Sequence, residues 1–129
     1  KCYFMDTGLA AYLCRWPSAA TLENGAMDGA FFETYAVTEI VKSRYNAGKP
    51  ADLFYYRDID KKEIDLLIVE GGKVYPIEIK KGKEPTKPDK NFGALAQLKL
   101  DIQPGLILCM SDELIPYNRG AWYCPVSVL

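Results

Sequence analysis

Two acidic residues and a lysine are the side chains in this sequence whose types and spacing could support chemistry. They are Asp65, Glu78 and Lys80, and they flank Gly71-Gly72, a pair suited to a two-residue hairpin turn. With these glycines as the turn, the strand register places Asp65 opposite Glu78 and Glu63 opposite Lys80. Alternate residues of a strand share a face, so all four side chains should lie on one side of the hairpin.

The facing acids predict a cation site. Two carboxylates directly opposite each other repel, and a divalent metal or a shared proton relieves that repulsion. Asp65, Glu78 and the backbone carbonyl of Ile79, together with waters, would supply the oxygen ligands that Mg²⁺ or Mn²⁺ prefers. Lys80 could orient a water or stabilise negative charge on a phosphate. Glu33, on the apolar face of a predicted helix, is a further candidate ligand or base.

The same residues also fit a purely structural hairpin. In that interpretation Glu63 and Lys80 form a cross-strand salt bridge. Asp65 and Glu78 then point to solvent, and Glu33 is simply exposed. Three apolar side chains on the acidic face argue against full solvation, and they are Leu67, Val69 and Val74. The opposite face is predicted to be the main core, with Ile64, Leu66, Ile68, Tyr75, Ile77 and Ile79.

The elements that must position these residues are predicted to be a helix, a three-strand meander, a second helix and a further strand. Antiparallel strands followed by a helical crossover that returns a strand in parallel give an α/β fold with a mixed sheet. Asp6 or Thr7 should cap a short helix ending at Leu13, Asp28 should cap a longer one, and residues 18–25 should be turn-like. The main ranges are helix 29–47, strands 52–57, 63–70 and 73–81, a short helix from residue 92, strand 106–110 and an extended segment 121–128.

Composition narrows the classes of chemistry. The chain has 129 residues, of which 49% are hydrophobic and 26% charged, as in ordinary globular domains. The absence of histidine removes imidazole bases, Ser/His and Cys/His nucleophile pairs and histidine zinc sites. The four cysteines form no Cys-x-x-Cys pair and are predicted to be reduced core thiols. No apolar run is long enough to span a bilayer, so we expect a cytoplasmic protein without membrane contact.

The motif resembles that of a nuclease superfamily. Asp65 followed by Glu78-Ile79-Lys80, behind a helix bearing Glu33, resembles the Asp...Glu-x-Lys pattern of the PD-(D/E)XK (restriction-endonuclease-like) nucleases, whose core has the same order of elements. The resemblance implies that Asp65 and Glu78 are metal ligands, Lys80 the catalytic lysine and Glu33 the helical acid. It implies metal-dependent hydrolysis of phosphodiesters in DNA or another nucleic acid. The nearby loop lysines Lys81, Lys83 and Lys87 would contact phosphates.

Most of the chain also looks like the C-terminal domain of unknown function that many prokaryotic AAA-type ATPases carry. The segments concerned are residues 1–9, Gly29-Ala30-Phe31-Phe32-Glu33, Tyr55-Tyr56-Arg57 and Glu63-Ile64-Asp65. This resemblance implies that residues 1–25 lead in from a missing ATPase portion and that residues 26–129 form the nuclease-like domain. The ATPase domain of the same chain would be a partner. ATP would bind only in that portion, because this sequence contains no Gly-x-x-x-x-Gly-Lys-Ser/Thr loop.

The net charge of −1 gives no overall electrostatic reason to expect nucleic acid. A non-catalytic interaction or regulatory module of the ATPase, with the same fold, is therefore the alternative function.

Overall fold

The computed structural model describes all residues 1–129 and divides them into two compact units. The first unit is Lys1–Lys49 with Leu129, and the second is Pro50–Val128. The first contains the helices α1 (Thr7–Leu13), α2 (Ala19–Glu23) and α3 (Asp28–Asn46). The second contains β1 (Leu53–Arg57), β2 (Glu63–Glu70), β3 (Lys73–Ile79), a 3-10 helix (Phe92–Leu98), β4 (Asp101–Ile102), β5 (Gly105–Cys109), β6 (Ile115–Asn118), β7 (Ala121–Pro125) and a last 3-10 turn (Val126–Val128). The predicted division after residue 25 stays a prediction.

The helices of the first unit begin at polar caps in two cases out of three. The Asp6 side chain accepts a hydrogen bond from the Leu9 N–H, which confirms the predicted start of α1. Ser18 and Thr21 form a capping box at α2, so the turn-like prediction for residues 18–25 is wrong over this helix. The same polar residues that favour a turn also cap a helix, and here they cap one.

The start of α3 differs from prediction by one position. Asp28 is the first residue of this helix and Met27 is its N-cap, without a side-chain hydrogen bond. The expectation that Asp28 caps the helix is therefore wrong. Its carboxylate still lies in the first turn, where the exposed N–H groups of a helix favour negative charge.

The second unit is built on one mixed sheet of seven strands. Its order is β1-β2-β3-β5-β7-β6, with β4 also pairing with β3. The meander β1 to β3 is antiparallel, while β5 runs parallel to β3 after the 3-10 helix, as the sequence predicts. The short strands β4 and β6 are not predicted. The α/β class and the mixed sheet are confirmed.

A proline occupies the middle of the central strand β3. Pro76 pairs with Leu67 of β2, at a position that does not exchange backbone hydrogen bonds when counted from the closing pair Glu70 and Lys73. Its backbone nitrogen, which has no N–H, therefore faces the edge of β3 opposite to β2. On that edge the partner of β3 changes from β4 to β5. The proline sits at the one gap in the hydrogen-bond ladder that can accept it.

A register shift in β2 changes which face carries Ile64. Phe54 pairs with Leu67 but Tyr56 pairs with Ile64, so two β2 residues lie opposite a single β1 residue. Ile64 consequently packs with Leu67 and joins the buried cluster Ile64, Leu67, Val74 and Leu95. Its predicted place on the same face as Leu66 is wrong, because strict alternation fails at a bulge.

Residues 82–98, which we call the strap, lie across this face of the sheet. Phe92 packs against both buried clusters of the face, the second of which contains Ile107, Cys109, Ala121 and Tyr123. The hydroxyl of Tyr123 donates to the Pro85 carbonyl at 3.0 Å, and the Met110 N–H donates to the Gly82 carbonyl at 2.7 Å. The strap thus covers the core and also carries two of the three candidate phosphate-contacting lysines, Lys83 and Lys87.

All four cysteines are free thiols, but only two belong to the core. Cys109 and Cys124 are buried, whereas Cys2 and Cys14 are exposed, so the prediction of four core thiols is half right. None of the three helices and two 3-10 segments combines the length and the apolar character needed to cross a membrane.

Gly105 marks a place where the strap, β3 and β5 approach closely. A Cβ atom there would clash with the Phe92 ring and lie 2.9 Å from the Pro76 carbonyl oxygen. We expect Gly105→Ala to lower the free energy of unfolding by about 1–3 kcal/mol through overpacking. Gly93→Ala, which meets no atom within 4 Å, is the matched control and should change stability by less than about 0.5 kcal/mol in urea denaturation. Equal stability of the two variants would contradict this packing.

Candidate functional site

The structure brings together three of the four residues predicted to be catalytic. The β2/β3 ladder runs from Glu70 paired with Lys73 to Leu66 paired with Ile77, and Asp65 and Glu78 are the next residue on each strand. The Oδ2 atom of Asp65 accepts hydrogen bonds from the Ile79 N–H at 2.9 Å and from Lys80 Nζ at 3.1 Å.

Lys80 is held by the sheet. It directly follows β3, and its backbone N–H donates to the Leu108 carbonyl at 3.0 Å, which extends the β3/β5 pairing. Its Nζ lies 2.7 Å from Glu78 Oε1 and 3.1 Å from Asp65 Oδ2. One ammonium group therefore bridges the two carboxylates.

The two acids are buried and the lysine is not. The side chains of Asp65 and Glu78 are 11% and 6% exposed, against 41% for Lys80. The solvent-facing alternative for the acids is therefore wrong. Glu78 Oε2 is buried without any hydrogen-bond partner, although a buried charged oxygen without a partner is costly. A further cation or a proton at this atom would satisfy it.

Electrostatics of the cluster follow from this burial. Burial raises the pKa of Glu78, the negative charge of Asp65 raises it further, and Lys80 opposes both effects. Burial lowers the pKa of Lys80, but its hydrogen bond to Glu78 and the charges of both acids outweigh burial and raise it. Lys80 therefore stays a cation. The raised pKa of Glu78 means that the protein disfavours the ionised form of this carboxyl group.

Glu63 belongs to a different set of contacts. Its carboxylate accepts a hydrogen bond from the Tyr55 hydroxyl, and its backbone pairs with Arg57 of β1. Lys80 pairs with Asp65 and Glu78 instead, so the predicted salt bridge between Glu63 and Lys80 is wrong. The bulge in β2 ends the simple register before it reaches Glu63.

Glu33 lies on α3, in the first unit. It accepts hydrogen bonds from the Tyr3 hydroxyl at 2.7 Å and from Lys1 Nζ at 2.9 Å, both within that unit. Its side chain is 24% exposed. A role for Glu33 beside Asp65 and Glu78 stays a prediction.

The loop lysines differ in how far they are neutralised. Lys83 Nζ pairs with Asp112 at 2.8 Å, and both side chains are highly exposed, so the pair adds little stability. Lys87 is exposed, has a positive φ of 47° and makes no side-chain hydrogen bond or ion pair. Lys81, directly after Lys80, is also exposed. Of Lys83 and Lys87, Lys87 has the cation that is free for an external phosphate.

The oxygen atoms at the cluster fit a hard divalent cation. No group of three or more Cys, Asp or Glu side chains is placed to hold a metal, so a metal here would rest on two carboxylates, backbone and water. Mg²⁺ is commonly held in that way, with several waters retained. The Ile79 N–H contacts Asp65, and because the N–H and C=O of one strand residue point to the same side, its carbonyl faces β2 as well.

Fold and site together define an α/β protein with a buried acid pair at adjacent strands of a mixed sheet. The family model described as Domain of unknown function (DUF4143) matches residues 28–129, so the chain belongs to the DUF4143 family. The matched segment includes α3 and every strand, and it confirms the resemblance to a domain of unknown function. Searches of curated proteins and of solved structures gave no match.

Sequence reasoning missed the role of Lys80 as the counter-ion of both acids. The signal was available, since a lysine two residues after Glu78 shares its strand face. Strand register alone does not show that the long Lys80 side chain turns back to contact Glu78.

The raised pKa of Glu78 predicts how metal-free stability changes with pH. A folded-state pKa above the unfolded value means that Glu78 contributes stability below its unfolded pKa and loses it as pH rises through the folded value. Glu78→Gln does not ionise, so its melting temperature relative to wild type should increase as pH rises from about 4 to neutral. Thermal melting in chelator-treated buffer measures this. A difference that is constant with pH, or that decreases, would contradict the assignment.

Proposed function

We propose that this protein is a nuclease-like domain that hydrolyses phosphodiesters of DNA or another nucleic acid with the help of Mg²⁺ or Mn²⁺. The observation that carries the proposal is the buried pair Asp65 and Glu78 beneath a lysine, with the Glu78 Oε2 atom unpartnered. A buried carboxylate whose pKa is raised by burial and by a neighbouring negative charge, as that of Glu78 is, is typical of functional sites.

The order of elements supports the same proposal. Helix α3 is followed by the β1 to β3 meander, a 3-10 crossover and the parallel strand β5. This order resembles that of a restriction-endonuclease-like core, and Asp65 lies on β2 and Glu78 on β3. The proposal therefore assigns the roles of the Asp...Glu-x-Lys pattern to Asp65, Glu78 and Lys80.

Each residue of the site has a separate role in the proposed hydrolysis. Asp65, Glu78 and the Ile79 carbonyl would hold the metal, which when bound supplies charge stabilisation and a more acidic water. Lys80, at the exposed side of the acids, would place its ammonium group against a substrate phosphate. Glu33 would serve as a further acid. Contacts to the nucleic acid backbone would come from Lys81, Lys83 and Lys87.

In the full-length protein this domain would be the C-terminal part of an AAA-type ATPase. The ATPase portion would bind ATP and would be the partner of this domain within the same chain. The proposal rests on the resemblance of residues 1–9 and of the aromatic and acidic segments to such proteins.

A second candidate function is a non-catalytic interaction or regulatory module of that ATPase. The observation that favours it is the Lys80 bridge, which offsets one of the two negative charges of the acid pair without any metal. Under this alternative the cluster is a buried structural ion pair, and substituting its members changes stability without changing metal binding.

Metal binding separates these two functions. We expect Mn²⁺ to bind the wild type saturably in titration calorimetry, and Asp65→Asn and Glu78→Gln each to weaken binding by at least about tenfold. Glu70→Gln, which alters an exposed acid of the same strand, should leave the affinity unchanged. Metal-dependent cleavage of single-stranded or duplex DNA should disappear in the first two variants. Equal affinity in all four proteins would favour the interaction module.

The loop lysines give a separate prediction for nucleic acid. Lys87→Ala should weaken duplex binding and reduce the slope of log affinity against log salt by about one, as expected for loss of one phosphate contact. Lys83→Ala should have a smaller effect, because Asp112 already neutralises that ammonium group. Fluorescence anisotropy over a salt series measures both. A larger loss for Lys83→Ala would contradict the assignment of Lys87 as the freer cation.

A further inference from the structure

A single ammonium group stands between the two buried carboxylates. Lys80 Nζ lies 2.7 Å from Glu78 Oε1 and 3.1 Å from Asp65 Oδ2, so it contacts one oxygen of each acid. The lysine backbone is fixed to Leu108 of β5 by a 3.0 Å hydrogen bond. The side chain therefore folds over the acid pair from a fixed point.

Lys80 also lies on the solvent side of that pair. Its side chain is 41% exposed, whereas Asp65 and Glu78 are 11% and 6% exposed. Of the three charged groups, the Lys80 side chain is therefore the most accessible to solvent. Two cations within a few ångströms of each other repel strongly at a partly buried site. Lys80 thus contacts one oxygen of each of the two carboxylates that would hold the metal.

We infer that Lys80 fills the cation position of the metal-free site and that a divalent metal binds by displacing its ammonium group. This inference rests on the proposed metal site and adds how the site is controlled. Displacement frees the Lys80 ammonium group to pair with a substrate phosphate. The metal would then bind the two carboxylates and the phosphate would bind the ammonium group. Binding of either one therefore favours binding of the other, and the coupling is reciprocal.

The inference predicts that removing the ammonium group tightens metal binding. In the full 129-residue chain, Lys80→Met should bind Mn²⁺ at least about tenfold more tightly than wild type, the equivalent of one charge-assisted hydrogen bond. Titration calorimetry measures both affinities. Lys73→Met, which removes an exposed lysine at the far end of β3, controls for net charge and should change the affinity by less than about twofold.

Thermal melting gives a second readout that needs no activity. Without metal, Lys80→Met should melt below wild type, because the two acids lose their counter-ion. Saturating Mn²⁺ should raise its melting temperature by more than it raises that of wild type. Lys80→Gln retains a neutral hydrogen-bond donor, so its melting temperature should lie between those of wild type and Lys80→Met. It replaces the methionine variant if that variant does not fold.

The outcomes separate this inference from the proposed function. If wild type binds Mn²⁺ through Asp65 and Glu78 but Lys80→Met and Lys80→Gln bind no tighter than Lys73→Met, displacement is overturned and the metal site stands. If neither wild type nor the Lys80 variants bind Mn²⁺, both are overturned. Tighter binding that survives Glu78→Gln in the Lys80→Met background would place the metal elsewhere and would also overturn the inference.

Discussion

The repulsion between two buried carboxylates is the constraint on which the second unit of this protein depends. Asp65 and Glu78 lie side by side where the solvent that would screen them is mostly excluded. Lys80 and the Ile79 N–H offset part of this cost, but Glu78 Oε2 keeps no partner. A structural ion pair would normally satisfy its remaining lone pairs. This incomplete compensation is the observation that supports the proposed cation site.

The sheet produces this arrangement from a few local features. Gly71 and Gly72 both have positive φ angles, 59° and 79°, as a type I′ hairpin turn requires. That turn fixes the β2/β3 register and therefore sets Asp65 beside Glu78. Pro76 ends the pairing of β3 with β4 and allows β5 to join, and β5 in turn anchors the backbone of Lys80. The strap then covers the face of the sheet that carries the two buried clusters.

The parts of the fold that depend on short-range patterns could be predicted from the sequence. The β2 strand and its register with β3, from Leu66 opposite Ile77 to Glu70 opposite Lys73, are correct because a two-residue turn leaves no freedom in the pairing near it. The bulge that moves Ile64 to the other face could not be predicted, since it depends on how β1 meets β2. Strands β4 and β6 are too short to show a pattern of their own, and the polar residues of α2 are typical of turns as well.

The candidate site shows the same division between local and tertiary information. Strand alternation was enough to group Asp65, Glu78 and Lys80, which the structure brings together. The burial of the acids and the bridging position of Lys80 depend on tertiary packing, so residue spacing could not predict them. Glu33 illustrates the limit, since helical periodicity placed it on an apolar face while its partners in the structure, Tyr3 and Lys1, are distant in sequence.

A paramagnetic titration tests the metal centre most directly. Mn²⁺ broadens amide signals within a short radius, so a ¹⁵N-labelled sample reports where the ion binds without any assumption about activity. A metal centre at the acid pair predicts that the signals of Asp65, Ile79 and Lys80 broaden first, while those of Gly71 and Gly72, at the far end of the same hairpin, remain. Broadening centred elsewhere in the sheet, or no broadening at saturating Mn²⁺, would contradict a metal-dependent function for this site.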